Sequence, residues 1–376
     1  MSNYRRRSTM SYEERRVYRR RKRLIRRIQV YAEIAFISIA IFVVGSFIVS
    51  HIKGNNKTMT VAAEEKAAAE EKKEKTGLKV SSGDVDPDAA KEDASAEEAE
   101  EVSGSVGAYS AKETGDTVQI SGDVVSEYAI LINNNTKEIV GERNGNERIV
   151  PASMTKVMTV LVASKHISPD KLDDKVTMSH EAVDYSYAGE GSTSGFVEEE
   201  EMTVRDLFYG TILPSGGDAA AQLAMYVAGD IDGFVDMMNE EAKNMGLKDS
   251  HFTNPVGFHA DDHYSTPYDI SIIMMAALDD EFCREVLTTK VYNSTATNVN
   301  PEGITISNWF LRRIEDKDIG GTILGAKTGY VDQSGSCAVS SMTSESGAEY
   351  ICCTAKSTSS WRCIDDHVAI YKAYAK

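Results

Sequence analysis

Residues 28–49 form an almost unbroken apolar run, and an arginine-rich arm stands directly before it. As a helix, a run of that length reaches across a hydrocarbon core of about 30 Å, so it predicts one membrane-spanning anchor and removes this stretch from any water-soluble core. Ile34, Phe36, Ile37, Ile39, Ile41, Phe42, Val43, Val44, Phe47 and Ile48 carry the run, and Glu33 sits near its basic end, where a charge reaches the interface. Residues 1–29 hold 12 Lys or Arg against 2 Glu. By the positive-inside rule the arm stays in the cytoplasm and everything after Lys53 lies outside. A cleaved signal peptide fits less well, because its apolar part usually runs only about 7 to 15 residues and ends at a small-residue cleavage site. The basic strings suit membrane topology and anionic lipid heads, and nothing in the arm reads as a folded nucleic-acid module.

Residues 55–116 carry 8 Lys against 16 Asp or Glu, in strings such as Ala62-Ala-Glu-Glu-Lys-Ala-Ala-Ala-Glu70. They lack the apolar side chains to bury a core and read as a disordered, charge-extended tether. The boundaries are then a basic arm at 1–27, a membrane anchor at 28–50, a tether at 51–117 and a folded domain at 118–376. The last 260 residues carry 20 basic and 39 acidic side chains. That is chain enough for one substantial core, and its net charge repels nucleic acid and other polyanions at long range.

Three strings in this domain carry chemistry: Ser153-Met-Thr-Lys156, Ser215-Gly-Gly217 and Lys327-Thr-Gly329. Three residues apart on a helix, the Ser153 hydroxyl and the Lys156 amine share a face, and a lysine whose pKa is lowered by burial or a cationic neighbour can take the serine's proton. Lys327 is a candidate for that neighbour. Pro151-Ala152 suits a helix start, Val157, Met158, Val160, Leu161 and Val162 continue it, and a serine near a helix N-terminus meets N–H groups that favour negative charge. No single string is specific. Ser50-His-Ile-Lys53, Ser168-Pro-Asp-Lys171 and Lys75-Thr-Gly77 fit the same patterns, but they fall at the end of the apolar run, across a proline and in the polar tether. Order and setting set the other three apart.

With the stretches Tyr128-Ala-Ile-Leu-Ile132, Met202-Thr-Val-Arg-Asp-Leu207, Phe252-Thr-Asn-Pro-Val-Gly257, His263-Tyr-Ser-Thr266 with Asp269, and Gly325-Ala-Lys-Thr-Gly-Tyr-Val-Asp332, the region from about Tyr128 onward resembles the serine D-alanyl-D-alanine carboxypeptidases, the low-molecular-weight penicillin-binding proteins. The resemblance implies an α+β fold of the penicillin-binding/β-lactamase-like kind: an antiparallel sheet flanked by helices, an all-helical part beside it, and the site between them. It implies peptidoglycan stem peptides as substrate, β-lactam antibiotics as inhibitors, and neither cofactor nor metal. It assigns Ser153 as nucleophile, Lys156 as its base and Ser215 as proton relay. Lys327 supplies positive potential, Thr328 binds the terminal carboxylate, the N–H groups of Ser153 and Tyr330 hold the oxyanion, and Gly329 and Gly217 complete the substrate-binding set. Family members often carry a further C-terminal β domain and anchor; none is expected here, which leaves anchoring to the N-terminal run.

Gly217 departs from the pattern, which has asparagine there. Loss of one oriented hydrogen bond costs on the order of 1 to 3 kcal/mol, so slowed turnover is expected; an acylated receptor or a noncatalytic wall-binding scaffold are the alternatives. Gly217→Asn should raise activity unless the local backbone requires glycine, as it would at a positive φ.

The remaining features point to structure. Residues 128–132 and 138–142 predict a hairpin, Thr203 with Asp206 a capping box, residues 218–227 and 231–247 helices, residues 323–330, 336–342 and 349–355 strands, and 365–374 a terminal helix. The five cysteines read as small buried hydrophobes, with a Cys337 bond to Cys352 or Cys353 open. His263 reads as a structural hydrogen bonder rather than part of a triad with Asp269, and Glu240-Glu-Ala-Lys-Asn244, although it spells a β-lactamase base motif, reads as the wet face of a helix.

Overall fold

A computed structural model of the chain describes residues 109–376. The basic arm, the apolar run and most of the tether lie outside the described residues. Among the described residues no helix is long and apolar enough to cross a membrane.

Six strands make the main sheet: β1 (Val118–Gln119), β2 (Tyr128–Asn133), β3 (Glu138–Arg143), β8 (Gly321–Val331), β9 (Gly335–Ser344) and β10 (Glu349–Ser357), in the spatial order β1-β3-β2-β10-β9-β8. Its pairs are antiparallel except at one edge, where β1 runs parallel to β3. The expected hairpin is β2 and β3. Side chains alternate between two cores: Ile130, Ile132, Ile351 and Cys353 enter the first, and Ala129, Leu131, Tyr350 and Cys352 enter the second. A sheet buried on both faces has no wet side to encode, so residues 129–132 of β2 and 350–353 of β10 read as continuous apolar runs.

The second core is closed by the terminal helix, which spans Ser360–Tyr374 and so starts five residues before the expected 365. Ser359 caps it by accepting from the Arg362 N–H at 3.1 Å. The first core belongs to the helical layer: α1 (Thr155–His166), α2 (His180–Ala188), α3 (Val204–Ile212), α4 (Gly217–Ala228), α5 (Ile231–Asn244), α6 (Pro267–Asp279) and α7 (Glu281–Thr288). α1 is buried continuously from Thr155 to Ala163, the mark of a helix in the middle of a core rather than on its surface. The Thr203–Asp206 capping box starts α3. Short pairs β4 (Lys175–Thr177) with β5 (Glu201–Thr203) and β6 (Val291–Asn293) with β7 (Thr305–Ser307), and the one-turn helix α8 (Leu311–Ile314), fill the connections.

Residues 109–117, placed in the tether by composition, run along the domain. The Lys112 N–H donates to the Lys137 carbonyl at 3.1 Å, and the Tyr268 hydroxyl donates to the Ala111 carbonyl at 3.0 Å. All five cysteines are free and buried. The β9–β10 register sets Val339 opposite Cys353 and Ser340 opposite Cys352, so Cys337 faces neither and the disulfide left open by the sequence does not form.

Candidate active site

Ser153 lies in a 3-10 turn, Ala152–Met154, one step ahead of α1 and not within it. The turn forces Ala152 to φ +46°, a left-handed conformation that costs a residue with a Cβ roughly 1 to 2 kcal/mol. Lys156, in the first turn of α1, is 1% exposed. Its Nζ donates to the Ser153 Oγ at 2.9 Å and to the Val256 carbonyl at 2.8 Å. Burial first, and then the charge of Lys327, hold the Lys156 amine well below its ordinary pKa, against a smaller opposing pull from Asp218. An amine so placed is a proton acceptor for the hydroxyl beside it.

The Val256 carbonyl is the partner that sequence reasoning missed. It belongs to a loop folded by one side chain: the Asn254 Oδ1 accepts from the N–H groups of Val256, Gly257 and Phe258 at 3.1, 2.7 and 2.9 Å. Two further bonds fasten this loop to α1, from the Thr159 hydroxyl to the Pro255 carbonyl at 2.6 Å and between Thr155 and the His263 Nε2 at 2.9 Å. The His263 Nδ1 accepts from the Thr253 N–H, and burial lowers its pKa to about 4, so a neutral ring pins the loop. Asp269 bonds Ser250 and the Asp249 N–H instead. The Asn-Pro-x-Gly turn string was the available signal for this loop.

Ser215 sits between α3 and α4 at φ +64°. The Lys327 Nζ, reaching from β8, donates to its Oγ at 2.8 Å and to the Thr328 carbonyl at 2.8 Å. Lys327 is 2% exposed, and burial brings its pKa down to about 7. β8 is the outer strand of the sheet, so its free edge faces the 3-10 turn; a Cβ at Gly329 would lie 3.0 Å from the Ser153 nitrogen. Ser153, Ser215, Thr328, Gly329 and Tyr330 thus line one cleft of about 920 Å³, with the two lysines buried behind the serines. The Tyr330 side chain is 64% exposed and donates to Asp332 at 3.1 Å.

Gly217 opens α4 and is buried. A Cβ there would meet the Ser186 Oγ at 2.8 Å and the Val256 Cγ1 at 3.1 Å, so neighbouring side chains occupy the space an asparagine needs. Asp218 does not replace it. Its Oδ1 turns inward to accept from the Ser194 and Ala219 N–H groups at 2.8 Å each, and burial raises its pKa.

The competing strings fall away from this cleft. Ser168 precedes a short 3-10 turn whose Lys171 pairs with Asp174 at 3.4 Å; Ser50 and Lys75 lie outside the described residues. Glu240 and Asn244 are exposed on α5. Among the described residues no group of three or more His, Cys, Asp or Glu is placed to hold a metal ion.

Comparison with known proteins gives one consistent picture. The sequence profile of the D-alanyl-D-alanine carboxypeptidase family matches residues 113–355. The D-alanyl-D-alanine carboxypeptidase DacF of Bacillus subtilis is 38% identical over 156 residues, 41% of this chain and 39% of that relative. DacD of Escherichia coli, also a D-alanyl-D-alanine carboxypeptidase, is 35% identical over 156 residues, 40% of each chain. Each alignment thus reaches less than half of the relative's length. The crystal structure of the Streptomyces K15 DD-transpeptidase superposes with a TM-score of 0.61 at 29% identity, over 68% of this chain and 99% of that one.

Proposed function

We propose that this chain, which belongs to the D-alanyl-D-alanine carboxypeptidase family, is a membrane-tethered serine D,D-carboxypeptidase that removes the terminal D-alanine from peptidoglycan stem pentapeptides. One observation carries the reading: two buried lysines each donate to a serine hydroxyl in the same cleft, Lys156 to Ser153 and Lys327 to Ser215.

In this account Ser153 Oγ attacks the carbonyl between the two D-alanines while its proton passes to the neutral Lys156 amine. The resulting oxyanion is held by the N–H groups of Ser153 and Tyr330, a preorganised donor pair of the kind that contributes most to acyl transfer. Ser215 relays a proton to the leaving amine, the C–N bond breaks, and D-alanine departs. Water, losing its proton to the same Lys156–Ser153 pair, then cleaves the ester. Lys327 and Thr328 receive the terminal carboxylate. A β-lactam enters the same path, because its carbonyl stands in for the scissile amide and its ring nitrogen for the leaving amine. The N-terminal apolar run anchors the chain, and the acidic tether carries the domain outward from the membrane toward the wall.

Gly217 favours a second reading, a domain that acylates readily but turns over slowly, because Ser186 and Val256 fill the place of the missing amide. Release of D-alanine from a pentapeptide ending in D-Ala-D-Ala separates the two. Multiple turnovers by wild type, abolished in Ser153→Ala, support the carboxypeptidase, whereas a single equivalent per protein supports the slow acylated state.

A further inference from the structure

Trp309, Arg312 and Arg313 line one wall of the cleft, and the chain's other tryptophan, Trp361, packs against that wall. The Arg313 guanidinium, from α8, lies 4.0 Å from the Trp309 ring centre and 5.1 Å from that of Trp361, and the two indoles are 5.5 Å apart. Stacking of this kind fixes a guanidinium in one plane. Its Nη1 donates to the Trp309 carbonyl at 3.3 Å, and its buried Nε has no hydrogen-bond partner. Beside it Arg312 is exposed, donating to the Ser307 hydroxyl at 3.2 Å. Trp361 is itself 54% exposed.

What sets these two arginines apart is the absence of a carboxylate. Among the described residues Arg148, Arg205, Arg284 and Arg362 each pair with Asp or Glu, and Arg143 donates to three backbone carbonyls. Among the described residues Arg312 and Arg313 have no carboxylate within ion-pair distance, in a region with nearly twice as many acidic as basic side chains. A guanidinium held flat with open N–H donors is the geometry that takes a carboxylate by two parallel hydrogen bonds.

We propose that Trp309, Arg312, Arg313 and Trp361 form an auxiliary subsite that binds a carboxylate on a side arm of the stem peptide, remote from the scissile bond. The inference rests on the carboxypeptidase reading, in which Lys327 and Thr328 already hold the terminal carboxylate, so the anion taken here is a second one. The four residues act as specificity determinants and take no part in bond making.

The chain contains no other tryptophan, so its tryptophan emission reports this pair alone. The test titrates the full chain carrying Ser153→Ala with a stem pentapeptide whose side-arm carboxylates are free, and with the same peptide amidated at those positions. The acid form should change the emission and bind about tenfold tighter than the amide, the size expected for one charge-assisted hydrogen-bonded contact, and Arg313→Gln should bring the two peptides to parity. Arg312 is exposed, so Arg312→Gln leaves the fold intact and should remove most of the preference by itself. Equal binding of acid and amide by the parent chain, or a preference that survives in both arginine variants, overturns the subsite. A wild-type chain that benzylpenicillin does not acylate overturns the carboxypeptidase reading, and leaves the fluorescence comparison standing on its own result.

Discussion

Gly257 approaches Ala152 so closely that a Cβ on it would lie 1.8 Å from the Ala152 carbonyl oxygen. The contact presses the loop that presents the Val256 carbonyl to Lys156 against the turn that carries Ser153. Gly257 also sits at φ +92°. Gly257→Ala therefore meets a backbone clash as well as a left-handed penalty of roughly 1 to 2 kcal/mol. The expected outcome is a thermal midpoint lower by about 5 °C or more and acylation by penicillin slowed at least about tenfold. An alanine variant with wild-type acylation kinetics would show that loop and turn are not coupled.

Gly217→Asn is limited by neighbours, not by backbone conformation. In the present surroundings the new side chain displaces Ser186, whose hydroxyl donates to the Ser192 carbonyl at 2.8 Å, and presses on Val256, the acceptor of Lys156. The single variant should therefore acylate more slowly than wild type. Ser186→Ala together with Gly217→Asn removes the closest obstruction and should recover the rate, with a gain in kcat/KM of up to about tenfold if the amide then makes one good hydrogen bond to substrate. Stopped-flow acylation and D-alanine release on the two variants check this; a double variant no faster than the single one would mean that the cleft does not admit the amide.

The two buried amines predict a pH dependence whose limbs have different origins. Lys156 serves as base when neutral, so acylation rises as pH rises through its lowered pKa. Lys327 loses its charge above about 7, so attraction for the substrate carboxylate weakens there and KM climbs while kcat holds. Because the charge of Lys327 bears on Lys156, the acidic limb belongs to the pair and not to one residue. For stability the sign follows from proton counting: an unfolded lysine keeps its proton to about pH 10.4, whereas folded Lys327 releases it near 7. Between those values the unfolded chain binds more protons, and stability rises with pH. Thermal midpoints at pH 7 and pH 9 should show this rise in wild type and a smaller one in Lys327→Met. Equal slopes would remove Lys327 from the account.

Much of the site was legible because its side chains are chemically singular. Ser153, Lys156, Ser215 and Lys327 stand in strings whose order and flanking apolar runs set them apart, and the structure brings all four to one cleft. The Val256 carbonyl was not legible, since a backbone acceptor has no letter of its own; only the Asn254 turn that folds it leaves a trace. α6 was hidden for a different reason. Residues 270–278 are buried on every side and apolar but for Ser271, and such a helix shows no period by which to tell it from a strand. The crowding at Gly217 comes from Ser186 and Val256, distant in sequence, and so belongs to the fold alone. The Trp309–Arg313–Trp361 stack is assembled in the same way, from α8 and the turn ahead of it, before β8, and from the terminal helix, after β10.

Covalent capture tests most directly the claim that Ser153, activated by Lys156, is the nucleophile. The full chain is incubated with labelled benzylpenicillin and digested, and the labelled peptide is sequenced by mass spectrometry. One adduct per chain is expected, on Ser153, absent in Ser153→Ala and slowed by orders of magnitude in Lys156→Ala, since the serine then has no base within reach. An adduct on Ser215 or Ser168, or a folded chain that takes no label, would contradict it.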